Sequence, residues 1–375
     1  MANLGPRSSK HLVILTGWDA DELEKLSLED GTTYRQVVAM MEAGLAGVVN
    51  EFTASWYSRL FYVTDEPTVE YRVGSSNGFE RYTEYGRPDA KRGAVEGHML
   101  PLIPHDRALG WTWEFLRKAR TSQIQADIAD ALKDVKDLMR TEMLGRVFRR
   151  GDDSGSADGL GSSGYSPGFA TTAAQTNVDF DPPDYNGTSF DNTHEHYVAI
   201  SGGAFTNAVF SDTKDELMEH GHNPPFDFII GPNDEDTVRG LSDFTPVPEM
   251  NVNYGATQDL ASAPNMVDLD GSYYIGTISD CLVRVVRGIP QYYGFGWKSY
   301  GSNSQRNPLY VRVSTNAPMN GELRVVAMPD PRENSGQIPL QHLMLFTEFG
   351  VGVGDRTNGT ARYVNNATWS DGTVT

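Results

Sequence analysis

Between Thr121 and Arg150 apolar residues recur at steps of three and four: Ile124, Ile128, Leu132, Val135, Leu138, Met139, Met143 and Val147. That spacing puts them on one narrow stripe of an α-helix whose other faces are charged or polar. Ser122 reads as the N-cap and Gly151 as the terminator. Asp127 and Asp130 stand in the first half, and Arg146, Arg149 and Arg150 crowd the last turn, as the helix dipole favours. At 1.5 Å per residue the rod is roughly 42 Å long, two to three times an ordinary globular helix. A stripe this thin suits a helix lying across one face of a sheet with its other side wet. Such a helix is a support, not a catalytic element.

The stretch before it reads as a long hairpin. Leu60–Val63 and Val69–Val73 form one leg, Phe79–Tyr85 and Val95–Leu102 the other, with turn signals at Ser75-Ser76-Asn77-Gly78 and Gly86-Arg87-Pro88. Its charged residues, Glu66, Glu70, Arg72, Glu80, Arg81, Glu84, Arg87, Asp89, Lys91 and Arg92, leave the middle too polar to build a core. An isolated two-stranded ribbon is marginal in water. These side chains, Asp89 aside, are therefore expected to contact a neighbouring subunit.

Elsewhere the pattern mixes helices and strands. A polar arm leads into a helix over about Thr33–Phe52, and the Gly- and Ser-rich run Asp152–Ala173 reads as a surface insertion. Phe180–Phe190 is rich in turn residues. From Tyr197 the expected order begins with a helix capped by Ser211 or Asp212 and ending at His220. A strand Phe226–Ile230 and a short helix Asp234–Leu241 come next. Strands are expected at Tyr273–Ile278, Leu282–Val286, Leu309–Ser314, Glu322–Met328, Leu343–Val353 and Arg362–Asn365.

Composition excludes several classes. The single cysteine, Cys281, rules out an intramolecular disulfide framework and a cysteine-based zinc site, and its apolar setting predicts a buried inert thiol. No run is read as approaching the ~18 apolar residues of a membrane span, and Met1–Pro6 has no signal-peptide core, so no membrane partner is expected. The net charge is −19, unevenly spread: residues 1–150 hold 20 Lys and Arg against 22 Asp and Glu, residues 151–375 hold 11 against 28. That acidity argues against a sequence-seeking nucleic-acid binder. It leaves open a container that must not adhere to its nucleic acid.

The chemistry-bearing motifs are few. His194-Glu195-His196 and His220-Gly221-His222 could present paired imidazoles to a metal, and a metal-dependent hydrolase using His194, His196, His220 and His222 is one reading. Polar surface or interface histidines are the commoner outcome, and the expectation is no metal, no cofactor and no enzymatic activity. Asp268-Leu269-Asp270-Gly271 lacks the remaining ligands of a calcium loop and reads as a turn. Gly-Val-Gly-Val-Gly over 350–354 precedes no phosphate-binding helix and reads as a strand packed close to another backbone.

Taken in order, these parts resemble the major capsid proteins of tailed phages, of the Hong Kong 97-type fold. Met99-Leu100-Pro101-Leu102 with Asp106-Arg107-Ala108-Leu109-Gly110-Trp111-Thr112 resembles the passage from the family's hairpin into its peripheral domain. Phe190-Asp191-Asn192-Thr193-His194-Glu195-His196-Tyr197 resembles the stretch before its axial domain, and Glu348–Gly359 a C-terminal strand and turn. The resemblance implies an α+β fold: an N-terminal arm (1–54), an extended hairpin loop (55–104) and a peripheral domain (105–198) with the spine helix 121–150. An axial domain (199–318) and C-terminal strands returning to the peripheral domain (319–375) complete it. It further implies hexamers and pentamers of an icosahedral virion shell, assembled in the host cytoplasm around double-stranded DNA without sequence specificity. A separate scaffolding protein, a portal and a decoration protein are the implied partners. Lys91 with Asn365 or Asn366 is the conceivable pair for the isopeptide crosslink of some members, but nothing shows a catalytic carboxylate beside such a pair, and no crosslink is expected. An encapsulin-type nanocompartment shell shares nearly every feature and differs in enclosing a cargo enzyme.

Overall fold

The computed structural model describes residues 27–73, 94–112, 115, 118–151, 167–171, 180–246, 271–329 and 340–374. The chain forms two compact units, one drawn from 1–52, 103–139 and 313–349, the other from 53–102, 140–312 and 350–375.

In the first unit, helix α1 (Tyr34–Ala54) buries Val37, Met41, Leu45, Val48, Val49 and Phe52 at helical spacing. By length and composition α1 could cross a membrane, which corrects the expectation that no segment approaches a span. Its buried face instead packs along α2 (Thr121–Phe148). Gly44 makes the close approach possible, since a Cβ there would lie 2.8 Å from Leu132 Cδ1. Lys136 Nζ and Glu51 Oε2, 2.7 Å apart, join the same two helices.

α2 is the expected rod, two residues shorter. Ile124, Ile128, Val135, Met139, Met143 and Val147 are buried, together with Ala131 and Leu144, while Leu132 and Leu138 are half-buried at the edge of the stripe. Ser122 is not its cap. The helix starts at Thr121, whose N–H donates to Asp30 Oδ2 at 2.9 Å, and Gln123 Oε1 accepts from the Arg120 N–H at 3.1 Å. These carboxyl and amide oxygens supply partners that the first turn lacks within itself.

The rod lies along a sheet, as its thin stripe requires. Strand β4 (Ile103–Thr112) pairs antiparallel with β13 (Leu340–Val353) from Thr112↔Leu340 to Ile103↔Phe349, and β12 (Val326–Pro329) pairs with the other edge of β13. β4 faces α2: Trp111 Nε1 donates to Asp127 Oδ2 at 2.8 Å, and Arg107 pairs with Asp134. The strand expected at Glu322–Met328 is confined to β12.

The second unit is built on a seven-stranded sheet. Its order is β5 (Tyr197–Ala199), β14 (Thr360–Tyr363), β10 (Tyr293–Trp297), β6 (Phe226–Ile230), β9 (Cys281–Val285), β8 (Tyr273–Ile278) and β7 (Thr245–Pro246). Helix α3 (Asn207–Glu219) buries Val209, Phe210 and Leu217 against Phe226, Phe228 and Val283. It begins four residues before Ser211, with Thr206 at the cap, because Val209 and Phe210 belong to its buried face. A five-residue α4 (Glu235–Arg239) follows β6. Cys281 is buried, and burial pushes its thiol up to about 12, which keeps it inert.

The hairpin differs from expectation at its start. β1 (Phe61–Thr64) is not a leg of it but pairs in parallel with β11 (Leu309–Val313), because Leu60 and Phe61 are fully buried rather than presented on a ribbon. The ribbon proper is β2 (Thr68–Val73) against β3 (Ala94–Met99), from Thr68↔Met99 to Val73↔Ala94. The expected strand Phe79–Tyr85 lies outside the described residues. The ribbon's base is part of the unit. Val69 and His98 are buried, the His98 ring N–H donates to the Val353 carbonyl at 2.8 Å, and the Tyr71 ring meets Phe180 edge-on at 5.1 Å.

Candidate functional site

Of the four histidines expected as polar surface or interface groups, His196 and His222 are buried and His194 and His220 half-buried. His196 precedes β5 and is held by backbone on both sides. Its N–H donates to the Ala170 carbonyl at 2.7 Å, and its carbonyl accepts from the Ala361 N–H at 2.8 Å. His220 closes α3, after which Gly221 turns the chain at φ 83°, with the Tyr185 ring packed where a Cβ would stand. His194 sits in a turn whose Asp191 Oδ1 accepts from the Thr193 N–H at 2.9 Å. The three imidazoles meet tip to tip. Nε2 of His194 lies 3.0 Å from that of His196 and 2.8 Å from that of His220, and the last two are 3.0 Å apart.

His196 is fully buried, and its Nδ1–H donates to the Gly359 carbonyl at 2.7 Å. The Phe190 ring covers His194 and His220, with centroids 4.8 and 4.3 Å away. Burial lowers the pKa of all three histidines, that of His220 to about 2, so they are neutral bases at physiological pH. His222 stands apart. It is buried, with Nδ1 2.8 Å from the Tyr300 hydroxyl and Nε2 3.2 Å from Thr357 Oγ1. No other group of three or more metal-ligating side chains converges among the described residues. Surface exposure therefore fails as the reading of His196 and His222. Both lie against the loop after β13, a contact that local sequence does not disclose.

That loop, Asp355–Gly359, is a hub. Asn358 Nδ2 donates to the Lys298 and Arg306 carbonyls at 2.8 and 2.7 Å, and its Oδ1 accepts from the Lys298 N–H at 2.8 Å. Arg356, also buried, donates from Nε to the Gly168 carbonyl at 3.1 Å and lies 4.2 Å from the centre of the Phe180 ring. Arg362 pairs with Glu216 beneath it, and both are nearly sealed from solvent. Sequence reasoning marked this segment only through its resemblance. A run of polar residues between two strands gives no sign that its Arg and Asn are buried.

The residues expected to meet a neighbouring subunit fall into two groups. Glu66 and Glu70 are described and exposed, and Arg72 lies on β2. Glu80, Arg81, Glu84, Arg87, Lys91 and Arg92 lie outside the described residues. The α2 residues Ile124, Ile128, Val135 and Met139 are buried within the chain, as Leu132 and Leu138 are in part.

No family model matches the chain, and no characterised protein matches it in sequence. Solved structures do. One from Mycobacterium phage Patience covers 92% of this chain and 93% of its own, at 19% identity and a TM-score of 0.60. The mature capsid of bacteriophage PhiM1 covers 84% of this chain and 88% of its own, at 11% identity and a TM-score of 0.48. The holo-SrpI encapsulin complex from Synechococcus elongatus PCC 7942 covers 84% and 88%, at 14% identity and a TM-score of 0.42. Of these three, the first, with a TM-score above 0.5, carries the fold.

Proposed function

From its Hong Kong 97-type fold, we propose that this chain is the major capsid protein of a tailed double-stranded DNA phage. In that role it builds the hexamers and pentamers of an icosahedral virion shell around the genome. The observation that carries the reading is a likeness spanning nearly the full length of both chains; within this chain the β2–β3 ribbon and the long α2 follow one another in the order the resemblance implies. The peripheral domain is then 105–198 with the returning C-terminal strands, and the axial domain 199–318.

Physical chemistry supports the role. Exposed Glu66 and Glu70 gain little from any single contact, since a surface ion pair contributes about 1 kcal/mol or less. A symmetric shell repeats each such contact in every subunit, and the repeated sum holds it. The excess of 28 Asp and Glu over 11 Lys and Arg in residues 151–375 keeps packaged DNA from adhering to the shell wall. Nothing in this role requires catalysis by the subunit. A portal and a scaffolding protein are the expected partners during assembly.

Nuclease protection of co-purified nucleic acid tests the phage assignment. Shells from infected or lysogenic cells should protect long double-stranded DNA. Shells that hold a single protein cargo and no DNA would place the chain with nanocompartments instead.

A further inference from the structure

Three imidazole nitrogens in mutual contact cannot satisfy one another. In a neutral ring each nitrogen carries either a hydrogen or a lone pair. The Gly359 carbonyl can only accept, so His196 holds its hydrogen on Nδ1 and offers a lone pair from Nε2. If His194 or His220 alone carries a hydrogen on Nε2, one pair of lone pairs still faces across 2.8 to 3.0 Å. If both carry one, two N–H groups face each other across 2.8 Å. If neither does, three lone pairs converge. Each arrangement leaves a repulsive contact in a half-buried site. A divalent cation at the centre, to which all three nitrogens can turn a lone pair, removes the conflict.

The geometry points to a structural site for one borderline divalent metal ion of the zinc(II) class, held by Nε2 of His194, His196 and His220. Imidazole is the ligand such ions prefer, whereas magnesium and calcium take oxygen. Zinc–nitrogen bonds of about 2.0–2.1 Å in a tetrahedral site set the nitrogens about 3.3 Å apart, so the cluster needs to open by only a few tenths of an ångström. The outer contacts fit as well. A metal-bound histidine commonly donates its other N–H to a backbone carbonyl, as His196 does to Gly359. Glu219 Oε1 lies 3.6 Å from His194 Nε2, and the Phe190 ring covers His194 and His220. The ion would tie the turn before β5 to the end of α3, and through Gly359 to the loop after β13. The site lies within one chain and stands whether or not the chain builds a capsid.

The test uses tag-free, full-length protein stripped with a chelator and titrated separately with zinc(II), cobalt(II) and magnesium(II). One zinc ion per chain should bind, and the thermal midpoint should rise by about 5 °C at saturation. Cobalt(II) should give the visible d–d bands of a four-coordinate site, and magnesium(II) should have no effect. His194→Ala with His220→Ala should lose both responses, whereas His222→Gln should keep them. Zinc that fails to bind stoichiometrically to the wild-type chain, with an unmoved midpoint, overturns the inference, and this measurement holds even if the double variant does not fold. Undiminished binding to a folded double variant overturns it as well.

Discussion

Asn358 makes three hydrogen bonds from a fully buried position, two as donor and one as acceptor. Alanine there would leave the Lys298 N–H and the two carbonyls without their side-chain partner, and each abandoned buried group costs about 1–3 kcal/mol. Asn358→Ala should therefore lower stability by about 3 kcal/mol, read by chemical denaturation, while Asn365→Ala on the exposed surface should change it by under ~0.5 kcal/mol. His98 makes a second prediction at this scale. Burial, aided by the charge of Arg356, holds its pKa at about 3, against 6.5 for a free imidazole. Between those values the unfolded chain binds the proton and the folded chain does not. The stabilisation is complete above pH 6.5 and is lost as pH falls towards 3, by up to about 1.4 kcal/mol per pH unit. His98→Gln should flatten the fall in thermal midpoint between about pH 6.5 and 4. Equal slopes for the two proteins would assign the acid sensitivity to other groups.

At the scale of elements, the buried stripe of α2 makes the sharpest contrast. Val135→Asp puts a carboxylate into a buried position, at a cost of several kcal/mol unless it is neutralised. Lys133→Ala on the exposed face should change stability by less than about 0.5 kcal/mol. Urea denaturation of both variants decides the point, and similar losses would mean that the stripe is not what anchors the helix. This helix was legible because a 3.6-residue period sustained over seven turns has few competing explanations. β10 was not legible. In Tyr-Gly-Phe-Gly-Trp the glycines hide the strand, and they are there because Cβ atoms at Gly294 and Gly296 would strike the Phe228 ring and Thr213 Cγ2. β4 is not legible because Pro104, Asp106 and Arg107 make it look like a loop, although residues 103–110 alternate between half-buried and exposed and Trp111 is buried. The histidine cluster was half legible. The two His-x-His pairs were visible, but their meeting depends on α3 and the Gly359 loop, 163 residues beyond His196, which no local pattern encodes.

For the whole molecule, the β2–β3 ribbon and the segment that joins its strands in sequence should separate by function. Val69, Tyr71 and His98 belong to the fold through Val353, Phe180 and Arg356, so deletions that reach them should unfold the subunit. Replacing 75–92 by a short Gly-Ser turn should leave a cooperative thermal transition intact and abolish assembly, as followed by analytical ultracentrifugation. A truncated chain that still forms shells would remove the ribbon from the intersubunit contacts. Negative-stain electron microscopy of the purified protein decides whether this chain is a shell-forming capsid subunit. Closed shells of uniform diameter with five- and six-fold capsomers are the predicted result. A field of monomers, under ionic conditions that keep related shells intact, would contradict it.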